Sequence, residues 1–181
     1  MKILAVSGSL RPGSTVTTLM HAALGLLPPG SEAVVHASPA GLPYFDPGVD
    51  PDDAPAAVQA WRAPVAAADA VLIASPEYAH GMPGVLKNAL EWLVGSGELA
   101  GKPVALLTAS PYPTGGDRAR AWLTETLTVM SAALVPEASL GVGMVRSRLG
   151  PDGALTDPAT AEALRGAWAA VERAVQATAD R

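Results

Sequence analysis

The segment "KILAVSGSLRPGSTVTTLMHAALGLL", Lys2 to Leu27, decides how the rest of the chain is read. It begins with a short apolar run, Ile3 to Val6, and turns through glycine, serine and one arginine. It then continues into apolar residues at helical spacing: Val16, Leu19, Met20, Ala23, Leu24 and Leu27. The short run bounded by turn residues predicts a buried strand, and the spacing that follows predicts one face of a helix. Gly8 and Gly13 have the separation of a phosphate-binding P-loop, but Ser14 stands where that motif places its lysine. Backbone N–H groups of such a loop, together with the positive end of the helix, can hold an anion. Lacking the lysine that spans two phosphates, the loop suits a single phosphate. Ser9, Ser14, Thr15 and Thr17 offer hydroxyls for it, and Arg11 offers a charge. The same glycines also build ordinary tight strand-to-helix turns, so the spacing alone leaves both readings open.

The strand–loop–helix pattern recurs along the chain. Further strands are predicted at Glu32–His36, Ala70–Ala74, Val104–Thr108 and, more weakly, Leu134–Leu140, after the first at Lys2–Val6. Helices are predicted at Thr15–Leu27, ended by "PPG", and at Pro55–Ala68, Pro83–Val94 and Asp117–Ser131, the last capped by Asp117. Pro64 is expected to kink or split the second of these. A final helix starts with Asp157 as N-cap and Pro158 in first position, with Leu164, Trp168 and Val171 on one stripe. Alternation of short apolar runs with helical segments predicts an α/β fold around a parallel sheet. The loop from Ser38 to Asp53 is long and rich in Pro, Gly and Asp, as functional loops often are.

A chain of 181 residues fits one domain, 1–181, with a substantial core. Twelve basic and 17 acidic residues give a net charge of −5 without a basic block, which argues against nucleic-acid binding. The absence of cysteine excludes disulfides, thiolate catalysis and Zn–Cys sites. Three scattered histidines argue against a metal site, and His21 and His36 are read as structural. The N-terminus reads as a strand and not as a secretory signal, and no apolar stretch reaches membrane-span length, so a cytoplasmic protein away from the membrane is expected. No G-x-S-x-G elbow accompanies the serines, which argues against a hydrolase.

The third predicted strand, "AVLIAS", runs into "PEYAHGMPGVLKNALEWL", Pro76 to Leu93. With the first loop, this segment resembles the NADPH-dependent FMN reductase family, in which "GSLR-x-GS" is followed by "PEY-x-x-x-x-PG-x-LKNA-x-[DE]W". Pro76, Glu77, Tyr78, Pro83, Gly84, Leu86, Lys87, Asn88, Ala89, Glu91 and Trp92 carry the match. "LPYFDPGVD", Leu42 to Asp50, is similar to a family segment lying near a partner subunit, and "SPYPTGGDRA", Ser110 to Ala119, to its loop after the fourth strand. The similarity spans Met1 to about Leu140.

The resemblance implies a flavodoxin-like doubly wound sheet of five parallel strands in the order 2-1-3-4-5, with helices on both faces. It implies FMN as cofactor and NADPH or NADH as reductant. A small-molecule electron acceptor such as a quinone or free flavin is implied, as is a homodimer or homotetramer. Carried over residue by residue, the phosphate falls to Ser9, Arg11, Ser14, Thr15, Val16 and Thr17, and the isoalloxazine ring to Pro76, Glu77, Tyr78, Ala79, His80 and Gly81, with Ser110 at the third loop. Val16 and Ala79 depart from the family, where asparagine is frequent at both positions; each can still act through its backbone. No side-chain acid or base is required, because the flavin carries the chemistry. Glu77 either orients the cofactor or braces a loop or interface, and His80 is either a ligand contact or a solvent-facing turn residue. Trp61, Trp92, Trp122 and Trp168 read as core or subunit interface. An electron carrier reduced by a partner protein, or a redox-inactive scaffold, would use the same fold.

Overall fold

The computed structural model describes residues 1–36 and 38–180. Five parallel strands, β1 (Lys2–Ser7), β2 (Glu32–Val35), β3 (Ala70–Pro76), β4 (Pro103–Ala109) and β5 (Ala133–Val142), pair in the order β2-β1-β3-β4-β5. The helices are α1 (Thr15–Leu24), α2 (Ala56–Ala67), α3 (Gly84–Glu91), α4 (Asp117–Val129) and α5 (Pro158–Ala179).

Period-2 alternation sends strand side chains to two separate cores. Ile3, Ala5 and Leu72 face a core shared with Leu19 and Met20 of α1 and Leu164 and Trp168 of α5. Leu4, Val6, Val71 and Ile73 face the other, with Val58 and Trp61 of α2, Leu86 of α3 and Leu123 of α4. This is the doubly wound arrangement expected from the sequence. The buried indoles are satisfied: Trp61 Nε1 donates to the Ala89 carbonyl at 2.9 Å and Trp168 Nε1 to that of Ala23 at 2.7 Å.

Two expectations need correction. Pro64 does not split α2, which runs unbroken from Ala56 to Ala67. Pro64 leaves the Ala60 carbonyl without its donor, but Ala60 is exposed, so that carbonyl meets solvent while Val58, Trp61 and Val65 hold the inner face. Of the two readings for the tryptophans, core or subunit interface, Trp122 leaves only the second: it is 58% exposed on α4, and its ring lies where a side chain on Gly81 would go. His21 is exposed in the last turn of α1. His36 is built in, with its ring 4.6 Å from that of Trp61 and Nε2 3.1 Å from the Ser38 carbonyl; burial lowers its pKa. The weak fifth strand is explained by Pro136. Val104 pairs Leu134 but Leu106 pairs Ser139, so the edge strand bulges around a residue that cannot donate to the ladder.

Candidate nucleotide cleft at the strand ends

The chain leaves β1 toward β2 on one side, and β3 lies on the other, so a crevice opens beyond the carboxyl ends of β1 and β3. A cleft of about 470 Å³ occupies that place. Its walls come from three loops and bring together Arg11, Ser14, Thr15, Val16, Pro76, Glu77, Tyr78, Ala79, His80 and Ser110. Of the other residues named from sequence, Ser9, Thr17 and Gly81 lie beside the cleft and support its walls. Ser9 Oγ is 3.3 Å from the Tyr78 hydroxyl, joining the first loop to the second. Thr17 Oγ1 is 2.7 Å from Ser7 Oγ and fastens α1 to β1. Gly81 leaves room for Trp122, whose ring carbons lie 3.2 Å from the position of a Cβ there.

At one end of the cleft, Ser14 is the N-cap residue of α1 but its side chain makes no capping bond. The amides of Thr15, Val16 and Thr17, in the first turn, have no intrahelical acceptor. Arg11 is exposed and has no acidic partner among the described residues. Donors and positive charge thus remain available at one point, the donor set a phosphate requires.

The other wall follows β3. Tyr78 and Gly81 exchange two backbone hydrogen bonds of 3.0 Å each, closing a two-residue turn over Ala79 and His80. Both central residues have positive φ, 48° and 62°, in the manner of a type I′ hairpin turn. Glu77 braces this turn. Its Oε2 accepts the amides of Arg118 at 3.1 Å and Ala119 at 3.2 Å, and its Oε1 lies 3.5 Å from His80 Nδ1. The N-cap of α4 is Gly116 and Asp117 is its first helical residue; Asp117 Oδ1 also accepts the Arg118 amide, at 2.9 Å, so Glu77 shares with Asp117 the capping expected of Asp117 alone.

The rest of the second motif is a clamp. Asn88 Oδ1 accepts the Phe45 amide at 2.8 Å, and Asn88 Nδ2 and Trp92 Nε1 both donate to the Pro43 carbonyl at 2.9 Å. These bonds fix the loop around Leu42–Phe45 against α3 and leave Tyr44 94% exposed.

Tyr112 and Arg146 also line the cleft and were missed in the sequence. Tyr112 N–H donates to Ser110 Oγ at 3.1 Å; Met144 N–H donates to the Tyr112 carbonyl at 3.2 Å and Val145 N–H to that of Ser110 at 3.1 Å. Those bonds carry Arg146, four residues past β5, to the cleft. Its place just beyond a strand end is the signal that could have found it.

The comparisons agree with this geometry. A family model described as NADPH-dependent FMN reductase matches residues 1–146. An NAD(P)H-dependent FMN reductase of Pseudomonas aeruginosa is 35% identical over 167 residues, covering 91% of this chain and 90% of that protein. A quinone reductase of Escherichia coli is 31% identical over 180 residues, 97% and 96% of the two chains. Among solved structures, the flavoenzyme NAD(P)H:(acceptor) oxidoreductase of Paracoccus denitrificans superposes with a TM-score of 0.81 at 29% identity, covering 99% of this chain and 97% of that one. The chain therefore belongs to the NADPH-dependent FMN reductase family.

Proposed function

We propose that the chain works as one flavodoxin-like domain, 1–181, that holds FMN in the cleft beyond β1 and β3, oxidises NADPH or NADH, and passes the electrons to a small acceptor of the quinone or flavin class. The observation that carries this reading is the convergence at the strand ends of an anion-ready helix start with a braced, mostly apolar wall. The cleft volume is that of a small-molecule site. Arg11, the Ser14 hydroxyl and the first-turn amides of α1 hold the phosphate. Pro76 to Ala79, with Ser110 and Tyr112, form the bed for the ring. When bound, FMN supplies hydride acceptance and electron release, which no side chain here can provide.

The protein positions the ring and leaves access to it. Ala79 is small and exposed, so the turn adds little bulk where a nicotinamide must approach. Bleaching of the FMN-loaded protein by NADPH or NADH alone, without oxygen or a second protein, tests the reading, and a quinone should restore the yellow colour. Reduction by dithionite but by neither nicotinamide would make the chain an electron carrier. The dependence of its relatives on NAD(P)H supports a cytoplasmic location. Tyr44, held outward by the Asn88–Trp92 clamp, and the exposed Trp122 support assembly as a homodimer or homotetramer. Light scattering at micromolar concentration should give at least twice the chain mass, and a monomer would remove this part of the proposal.

A further inference from the structure

The turn beside the cleft carries a histidine where glycine would fit its backbone better. His80 is the second central residue between Tyr78 and Gly81, at φ 62°, where a two-residue turn of this type prefers glycine. Its side chain is 70% exposed, and the residue lines the cleft. Bracing the turn does not call for an imidazole. The two bonds between Tyr78 and Gly81 are backbone bonds, and Glu77 reaches α4 through Oε2 alone.

The other oxygen of Glu77 gives this ring a direction. Oε1 lies 3.5 Å from His80 Nδ1, and the carboxylate is itself held in place: its side chain is only 18% exposed, and Oε2 receives the amides of Arg118 and Ala119. A carboxylate facing one ring nitrogen favours the tautomer with the proton on that nitrogen, which leaves Nε2 for another partner. Among the described residues no protein group takes it. A fixed carboxylate, an imidazole with one nitrogen unengaged and a cleft that admits small molecules are the parts of a general acid–base unit.

On the reading of the cleft as the flavin site, we propose that His80 is the proton donor to a quinone acceptor and that Glu77 is its positioning residue. Two-electron reduction of a quinone takes a hydride and a proton. The hydride, carrying both electrons, comes from the reduced flavin and forms the O–H bond at one quinone oxygen. The proton leaves Nε2 of the His80 imidazolium, whose N–H electron pair stays on the ring, and forms the O–H bond at the other oxygen. The flavin is oxidised, the product leaves as a neutral hydroquinone, and the exposed imidazole takes its next proton from solvent. Ala79, the preceding residue, is small and exposed, so an acceptor that reaches the ring over it arrives beside His80.

FMN-loaded protein, titrated to full reduction with dithionite, is mixed rapidly with a benzoquinone or with ferricyanide, which takes electrons one at a time and no proton. His80→Gln should slow reoxidation by the quinone about a hundredfold, the lower end of the range for general acid catalysis, and affect ferricyanide far less. The wild-type quinone rate should fall as pH rises through the imidazole ionisation, because the charged ring is the donor, and His80→Gln should lose that step. Besides Glu77, the charged groups lining the cleft are Arg11 and Arg146, and Asp117 and Arg118 start α4 behind the turn, so the imidazole is the group of this set that titrates near neutrality. Nitrogen NMR of the flavin-free protein gives a measure independent of turnover: the neutral His80 ring should carry its proton on Nδ1. Glu77→Gln, whose amide oxygen can still receive the α4 amides, turns an NH2 group toward Nδ1 and should move that proton to Nε2. Equal losses with quinone and ferricyanide, no loss with the quinone, or a neutral wild-type ring protonated on Nε2 would each overturn the proposal while leaving the cleft as the FMN site. A chain that retains no FMN would instead refute the reading of the cleft, and the proposal with it.

Discussion

The segment that leaves β1 keeps most of its donors free, whereas the segment that leaves β3 spends its own on itself and on α4. In the first, Ser14 caps nothing, Arg11 has no carboxylate, and glycine occupies the left-handed position, Gly13 at φ 66°. In the second, Tyr78 and Gly81 close on each other, Glu77 caps α4, and alanine and histidine take left-handed positions. One loop keeps its donors for a ligand, and the other is a finished wall. They are fitted together: Gly8 extends the ladder through its amide to the Ala74 carbonyl at 2.8 Å, and a Cβ on Gly8 would come within 2.9 Å of Leu86 at the head of α3. A side chain at position 8 would have to displace the buried Leu86.

If the loops divide their labour in this way, damage to each should be read by a different ligand. Arg11→Ala should weaken FMN by about 1.5–3 kcal/mol, the range for a hydrogen bond to a charged group, and leave riboflavin almost unchanged. Equilibrium dialysis against both ligands checks it. Equal losses for FMN and riboflavin would mean that Arg11 shapes the cleft instead of answering a charge.

Glu77→Ala attacks the other loop and should act first on stability. It removes the Glu77 acceptor of the Ala119 amide and one of two acceptors of the Arg118 amide, which keeps Asp117 Oδ1 at 2.9 Å, and the cost of a weakened helix cap is about 0.5–2 kcal/mol, visible as a lower urea midpoint. Because the wall serves the ring and not the phosphate, any loss of affinity should be the same for FMN and riboflavin. A selective loss of FMN would assign Glu77 to the phosphate end and erase the contrast.

The two loops also differ in what the sequence disclosed. The turn after β1 was legible because its structure is local: strand, glycines, hydroxyls and helix start are consecutive, and their conformations follow from backbone rules. Strand order was legible through the family resemblance, and the two-faced core through the period of apolar residues. The roles of Asn88 and Trp92 were not, since what they hold, Pro43 and Phe45, lies more than forty residues away and no spacing announces it. Glu77 was ambiguous for the same reason, its partners being amides of α4. Arg146 escaped because the reading of the chain beyond Leu140 stopped at a strand and a helix, while its place in the cleft depends on Tyr112 and Ser110 receiving the turn before it. Pro64 shows the converse: a strong local rule gave way because the disturbed carbonyl faces outward.

The smallest expected effect concerns the backbone of the β3 turn. A left-handed conformation costs an ordinary L-residue about 1–2 kcal/mol, and asparagine tolerates it better than alanine because its side chain can bond the local backbone. Ala79, at φ 48°, is the first central residue of a turn whose preferred sequence is Asn-Gly. Ala79→Asn should therefore stabilise the protein by about 0.5–1 kcal/mol, since it relieves strain without adding bulk beyond an exposed position. For a chain of this size that is a rise of about 1–4 °C in Tm, measurable by calorimetry on the flavin-free protein. Affinity for FMN should change by less than about threefold, because the wall is already formed and its outline is set by the Tyr78–Gly81 pair. A fall in Tm would show that the turn is held by what surrounds Ala79 and not by its own geometry.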